Sequence, residues 1–159
     1  MADGVMNVSK GRGVEFYNRV KSNDPATSGF VVVLLTTAGI EADDVLDNHD
    51  DLSALIAASN TEANFTNYVR KSITDAAIVA LPPPDDTNNR RDIALPNQTW
   101  TAAGGATNNA LAKAVVSYGP DVAGADTTLI PVSHYDFAVT TTGIDLVLQF
   151  SASGFYRAS

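Results

Sequence analysis

The 159-residue sequence contains no cysteine, and this absence removes several kinds of chemistry at once. Without thiols the chain forms no disulfides, iron–sulfur clusters or Cys-type zinc sites, and it has no thiol nucleophile. A small secreted scaffold stapled by disulfides is excluded for the same reason.

Basic residues are also few, since ten Lys and Arg stand against eighteen Asp and Glu and leave a formal net charge of −8. Affinity for nucleic acid comes largely from Lys and Arg that neutralise phosphates, and anionic membranes attract basic segments. We therefore expect no nucleic-acid partner and no membrane partner. An acidic surface of this kind mainly keeps a protein soluble.

Long hydrophobic runs are missing as well. The longest, from Phe30 to Leu35, is far shorter than the roughly 20 residues that span a bilayer. The N-terminal sequence MADGVMNVSKGRG is polar and lacks the apolar region of a signal peptide. With 45% hydrophobic and 18% charged residues, the chain fills a core unaided, and we expect one domain over residues 1–159, made in the cytoplasm as a soluble protein.

Two short helices are predicted in the N-terminal half. The segment VEFYNRVK, residues 14–21, has apolar residues on one side of a helix that ends before Pro25, within an N-terminal helix or arm over residues 1–28. Asp50 or Asp51 is a suitable N-cap for a second helix that runs to about Ala58.

The remaining pattern is typical of strands. FVVVLLTT, residues 30–37, fits a strand buried on both faces, and residues 65–72 alternate so that one strand face is aromatic and basic. Residues 82–91, rich in Pro and Asx, predict an exposed loop. Further strands are predicted at 92–102 (interrupted at Pro96), 112–118, 129–139 and 144–151, with Thr142-Gly143 as a tight hairpin turn between the last two. The expected fold is mainly β with a minor α part, a β-sandwich or partial barrel of six to seven strands with one or two short helices.

The two histidines are candidates for chemistry, and each also has a structural interpretation. His49 lies in the acidic segment Glu41–Asp51, but an EF-hand loop needs Gly at position six and an acid at twelve, where this chain has Asn48 and Ala54. We favour a solvated helix entry, with weak opportunistic Ca²⁺ binding as the alternative.

The second histidine occurs in Ser133-His134-Tyr135-Asp136. On a strand, Ser133 and His134 point to opposite faces, so they cannot form a hydrolytic triad. We predict a half-buried strand histidine near a carboxylate, no catalytic residue, no metal and no cofactor.

Aromatic residues are candidates for binding. The single tryptophan, Trp100, is either a core residue, which we favour, or with the tyrosines a platform for carbohydrate. The ending Gly154-Phe155-Tyr156-Arg157 is either tucked against the domain or inserted into a neighbour, because Tyr and Arg are enriched where proteins meet.

Several segments together resemble small structural proteins of tailed bacteriophages, especially those that infect actinobacteria. The resemblance covers most of the chain from Phe30 onward and is carried by FVVVLLTTAGIEADDVL, NFTNYVRKSIT, TWTAAGG, VVSYGPD, DFAVTTTG and GFYRAS. It implies a virion component without catalytic residues. The leading expectation is a capsid decoration protein on the outer surface of the particle, bound to the major capsid protein and to copies of itself as a homotrimer or other symmetric oligomer.

The candidate contact residues under this hypothesis are Phe155, Tyr156, Arg157, Arg70, Lys71, Arg90 and Arg91. The rival binding-module hypothesis is a tail-tip or fibre protein whose Trp100 and tyrosines stack on host glycans. A cell-wall hydrolase that uses His134 or Asp136 is the third and least favoured hypothesis.

Overall fold

The computed structural model describes residues 3–150 and 155–158, and their fold is mainly β. The strands are β1 (Gly4–Val5), β2 (Gly29–Thr36), β3 (Lys71–Ile73), β4 (Arg91–Ile93), β5 (Gln98–Ala103), β6 (Ala110–Gly119), β7 (Ile130–Thr140), β8 (Ile144–Leu148) and β9 (Tyr156–Ala158). The α-helices are α1 (Gly13–Lys21), α2 (Asp43–Leu46) and α3 (Leu52–Ala58). The predicted fold class, mainly β with short helices in the N-terminal half, is confirmed.

One antiparallel sheet of five strands organises the fold. Its order is β1-β7-β6-β2-β3, so the long strand β6 pairs with β2 on one side and β7 on the other. Two separate antiparallel ribbons, β4–β9 and β5–β8, complete the strand pairing of the described residues. The strands therefore form one broad sheet and two narrow ones.

Apolar residues pack on both faces of the broad sheet. Alternate residues of β2 enter two different clusters, with Phe30, Val32 and Leu34 in one and Val31, Val33 and Leu35 in the other. The first cluster includes residues of α1, both ribbons and the C-terminal aromatics, and the second includes Leu46 of α2 and Leu52 and Leu55 of α3. All eight β2 residues are buried, which confirms the prediction of a strand covered on both faces.

The two predicted helices also form. Helix α1 buries Phe16, Tyr17 and Val20 and ends before the Ser22–Pro25 segment, and strand β1 pairs with β7, so the N-terminal segment is part of the packed layers. Helix α3 begins after Asp51, whose carboxylate accepts a hydrogen bond of 2.7 Å from the Ala54 amide. This side chain satisfies one of the free N–H groups at the start of a helix.

The strand predicted at residues 65–72 is wrong over most of its length. Only its end joins the sheet, where β3 pairs with β2. Asn67 has φ +70°, in the left-handed region, which breaks the extended alternation. Phe65 is buried in the core, and the Tyr68 hydroxyl donates to Glu62, so these rings do not line an exposed strand face.

The predicted hairpin at Thr142-Gly143 is also wrong. Strand β7 pairs with β6 and β1, whereas β8 pairs with β5 in a ribbon, so the chain crosses from the broad sheet to a narrow one at this point. Gly143, with φ +91°, donates its amide to Ala103 O at 2.7 Å. Gly143 therefore belongs to the turn by which the chain passes from the broad sheet to the β5–β8 ribbon. Glycine adopts the positive φ of this turn without strain, as it does in a hairpin turn.

The loop at residues 82–91 has the predicted exposed character. Asp85 and Arg90 exchange two backbone hydrogen bonds, of 2.8 and 3.2 Å, and the residues between them are exposed. Arg91 already belongs to β4. After β4, Pro96 lies in the gap before β5, as the predicted interruption of that strand requires.

Candidate functional site

The aromatic residues near the C-terminus lie inside the fold. Phe155 and Tyr156 are 3% and 7% exposed, and the Phe155 ring centroid lies 5.2 Å from that of Phe30. The Tyr156 hydroxyl accepts a hydrogen bond from the Gly11 amide, and its ring packs so closely on Gly13 that a Cβ there would lie 2.5 Å away. The prediction that these two rings contact a neighbour is therefore wrong for this structure, and the tucked alternative holds. The side chain of Arg157 lies outside the described part of the chain.

Arg70 is held by acidic residues of the same chain. Its guanidinium donates to both oxygens of Glu62, at 2.8 and 2.7 Å, and to Asp126 at 2.9 Å. Hydrogen bonds to Glu62 and then to Asp126 raise the pKa of Arg70 above its ordinary value. The Arg70 hydrogen bond is also the main cause that lowers the pKa of Asp126. The charge of Arg70, predicted as a partner contact, is thus compensated internally.

Lys71 and Trp100 form a second internal contact. The Lys71 ammonium lies 5.4 Å from the centre of the Trp100 ring, a cation–π distance. Trp100 itself is 1% exposed and donates its indole N–H to Val69 O at 2.8 Å. Trp100 is therefore a core residue, as favoured from the sequence, and its face is not open to a sugar.

Arg90 and Arg91 line an open cleft of about 410 Å³ together with Val14, Pro84, Asp85, Asp86 and Asn89. Arg90 lies 3.1 Å from Asp92 and 3.6 Å from Asp85. Arg91 forms no ion pair with any residue that the structure describes. Its planar fork of donors is free to take a carboxylate of another molecule.

A buried charged cluster, which the sequence did not predict, centres on Lys113 of β6. Its side chain has no solvent exposure. The ammonium lies 2.8 Å from Asp43 of α2, 2.7 Å from Asp136 of β7 and 3.4 Å from His134 Nδ1. His134, 1% exposed, places its Nε2 3.0 Å from Asp47, the residue that follows α2.

The contacts of the cluster are mutually compatible. Lys113 donates to Asp136, forms an ion pair with Asp43 and faces His134 Nδ1, and the His134 tautomer with its proton on Nε2 lets that nitrogen donate to Asp47. Burial lowers the pKa of Lys113, but hydrogen bonds to Asp136 and Asp43 outweigh it and raise that pKa above its ordinary value. The charged form of Lys113 is therefore favoured, whereas an amine nucleophile needs a lowered pKa.

The neighbouring Ser133 is not part of this cluster. Its hydroxyl donates to the Tyr135 hydroxyl at 3.0 Å, on the other face of β7 from His134. The predicted separation of Ser133 from His134 is thus confirmed, and so is a carboxylate near the imidazole. His134 is fully rather than half buried, because Gly4 of β1 packs closely against its imidazole ring.

The acidic segment Glu41–Asp51 is tied to the fold by its own hydrogen bonds. Glu41 lies 2.7 Å from His49 Nε2 and accepts from Asn60 at 2.7 Å. Burial raises the pKa of Glu41, but the bonds from His49 and Asn60 outweigh it and leave that pKa lowered. Among the described residues, no three His, Asp or Glu side chains are arranged to hold a metal ion.

Comparison with known proteins gives no family assignment. No protein-family model matches the chain, and neither the curated proteins nor the solved structures contain a match. In the part of the chain that the structure describes, no helix is long and apolar enough to cross a membrane.

Proposed function

We propose that this chain is a non-enzymatic structural protein of a tailed-phage particle, a decoration protein that binds the outer surface of the major capsid protein shell. The resemblance carried by the sequence motifs is the starting point. The observation that supports it best is that the candidate chemical groups are used within the fold: Lys113 and His134 are 0% and 1% exposed and bond to carboxylates of the same chain. The residues left on the surface of the fold are then available for contact with another protein.

The cleft at residues 84–91 is the contact surface that the geometry favours. Arg91 brings a guanidinium that forms no ion pair with the described residues, and Val14 and Pro84 add apolar surface beside it. A small set of such anchors, ringed by polar residues, provides most of the affinity of typical protein interfaces. Arg70 and Arg90 are engaged with Glu62, Asp126 and Asp92, so Arg91 replaces them as the proposed donor to an acidic group of the shell.

Burial of the tryptophan disfavours the rival tail-tip function. A glycan platform needs an open aromatic face, whereas Trp100 is 1% exposed and lies beneath Lys71. We therefore retain the shell as the proposed location.

The proposal is tested by the molar ratio of this chain to the major capsid protein in purified particles of the encoding phage. A decoration protein predicts a near-equimolar ratio, and deletion of the gene should leave assembly intact but lower the temperature at which particles release DNA. A handful of copies for each particle, or none, would contradict the proposal.

The contact surface is tested by adding purified variants to particles that lack the chain. We expect Arg91→Glu to weaken binding by at least about tenfold, because one charge-assisted contact is replaced by repulsion. Lys10→Glu makes the same charge change at an exposed residue that does not line the cleft and should bind like the wild type. Equal binding by both variants would remove the cleft from the interface.

A further inference from the structure

Strand β8 has an open edge. One edge pairs with β5, in the register Gln98↔Leu148, Thr99↔Val147 and Trp100↔Leu146. Within the described residues, no backbone group of another strand or loop pairs with the second edge. Unpaired edges are templates for pairing with another chain.

Two features that often prevent such pairing, a lysine and a proline on the edge strand, are missing from β8. The sequence of β8, IDLVL, contains no Lys and no Pro, and Ile144 and Val147 are 72% and 42% exposed. Asp145 is the only charged residue of the β5–β8 ribbon, and its carboxylate already accepts a hydrogen bond of 2.9 Å from the Ala102 amide. The ribbon is therefore an almost uncharged surface on a chain whose net charge is −8.

We propose that β8 pairs antiparallel with β8 of a second copy of this chain, about a two-fold axis at Leu146. In that register Asp145 lies opposite Val147 of the second copy, so no like charges face each other. Ile144 lies opposite Leu148 of the second copy, and the two ribbons form one four-stranded sheet, β5-β8-β8-β5. An isologous contact of this kind closes on itself as a dimer.

The size of the contact sets its strength. A pair of five-residue strands buries less than the roughly 1,200 Å² of a stable interface, so the dimer should be weak and depend on concentration. The inference deepens the proposed function and rests on it in one respect: copies bound side by side on a shell are concentrated enough to populate a weak pair.

The test uses the full chain in solution. We expect sedimentation velocity from about 10 µM to about 1 mM to show a monomer–dimer equilibrium, and hydrogen exchange at residues 144–148 to slow as concentration rises. Val147→Lys, which adds a charge beside the edge, should weaken dimerisation at least about tenfold. Val79→Lys is the matched control, since Val79 is 71% exposed on a different part of the surface, and it should dimerise like the wild type.

A wild type that stays monomeric throughout, exchange at residues 144–148 that is independent of concentration, or equal effects of Val147→Lys and Val79→Lys would overturn the inference. If circular dichroism shows that Val147→Lys is not folded, Ile144→Lys takes its place in the same comparison. The proposed function fails separately: a chain that dimerises through β8 but is absent from particles refutes the decoration function alone, and a decorated particle with a monomeric chain refutes the β8 pair alone.

Discussion

The ammonium of Lys113 is buried, and its charge is stabilised there by partners that the fold holds around it. Removal of this charge from water costs several kcal/mol, which the contacts with Asp43, Asp136 and His134 must offset. Two of these partners come from the adjacent strand β7 and one from the four-residue helix α2. The side chain therefore holds α2 against the broad sheet.

Replacement of Lys113 should lower the free energy of unfolding by more than the loss of its packing alone would. We expect Lys113→Met to lower the free energy of unfolding by about 3–5 kcal/mol, because two carboxylates lose the cation between them. Urea denaturation measures the change. Lys10→Met, at an exposed lysine, is the control and should change stability by less than about 0.5 kcal/mol.

The variant with Lys113→Met, Asp43→Asn and Asp136→Asn separates charge from packing. If uncompensated negative charge causes the loss, the triple variant should recover a large part of it. Equal stability of the single and triple variants would show that the cost comes from packing alone.

Part of the loss of stability at acidic pH should arise from Asp126. Its pKa is lowered in the folded state, mainly by the hydrogen bond from Arg70, so its stabilising contribution is present above the ordinary carboxyl pKa of about 4 and is lost as pH falls through the folded pKa. We expect Asp126→Asn to destabilise the chain by about 1 kcal/mol at pH 7 and to flatten the decline of unfolding free energy below pH 4. Asp86→Asn, at an exposed residue of the 82–91 loop, should leave the decline as steep as in the wild type.

At the scale of helices and strands, the features determined by neighbouring residues in the sequence could be predicted. The apolar run of β2, the Asp51 cap and Pro96 act on their own neighbours, and each produced the expected structure. The failures have non-local causes. A positive φ at Asn67 and the crossing of the chain between sheets at Gly143 depend on tertiary packing, which residue patterns in a single sequence do not contain.

The candidate site was hardest to predict because its residues come from distant segments. The Lys113 cluster joins α2 to β6 and β7, and Arg70 joins Glu62 to Asp126. One signal was available: Lys113 is the only charged residue in the ten-residue strand ALAKAVVSYG. A lone lysine in a strand that must be buried on both faces predicts an internal counter-ion, although not which carboxylate supplies it.

One hydroxyl contributes to the attachment of β9, beside its pairing with β4. Tyr135 of β7 donates to Phe155 O, next to β9, and accepts from Ser133. We expect Tyr135→Phe to lower stability by about 1–2 kcal/mol and to speed amide exchange at residues 155–158, since a buried carbonyl loses its donor.

Tyr118→Phe is the matched control for this element. The Tyr118 hydroxyl contacts Arg19 of α1, so its loss should leave exchange at residues 155–158 unchanged. If both variants speed that exchange equally, the effect is a general loss of stability rather than release of β9.

At the scale of the whole molecule, the two apolar clusters should unfold together because they share β2 and β6. Leu55 of α3 belongs to one cluster, and Trp100 of β5 belongs to the other. We expect Leu55→Ala to cost about 2–5 kcal/mol and to shift the unfolding midpoint seen by Trp100 fluorescence as far as that seen by circular dichroism. Two separate midpoints would show that the layers unfold independently.

The burial of β2 on both faces also bears on how this sequence can diverge. In a strand with one face exposed to solvent, buried and exposed residues alternate, so about half of its positions tolerate substitution. Here each residue from Gly29 to Thr36 is enclosed by one layer or the other. Saturation mutagenesis should therefore find eight consecutive intolerant positions, and this segment should be the one through which remote relatives are recognised.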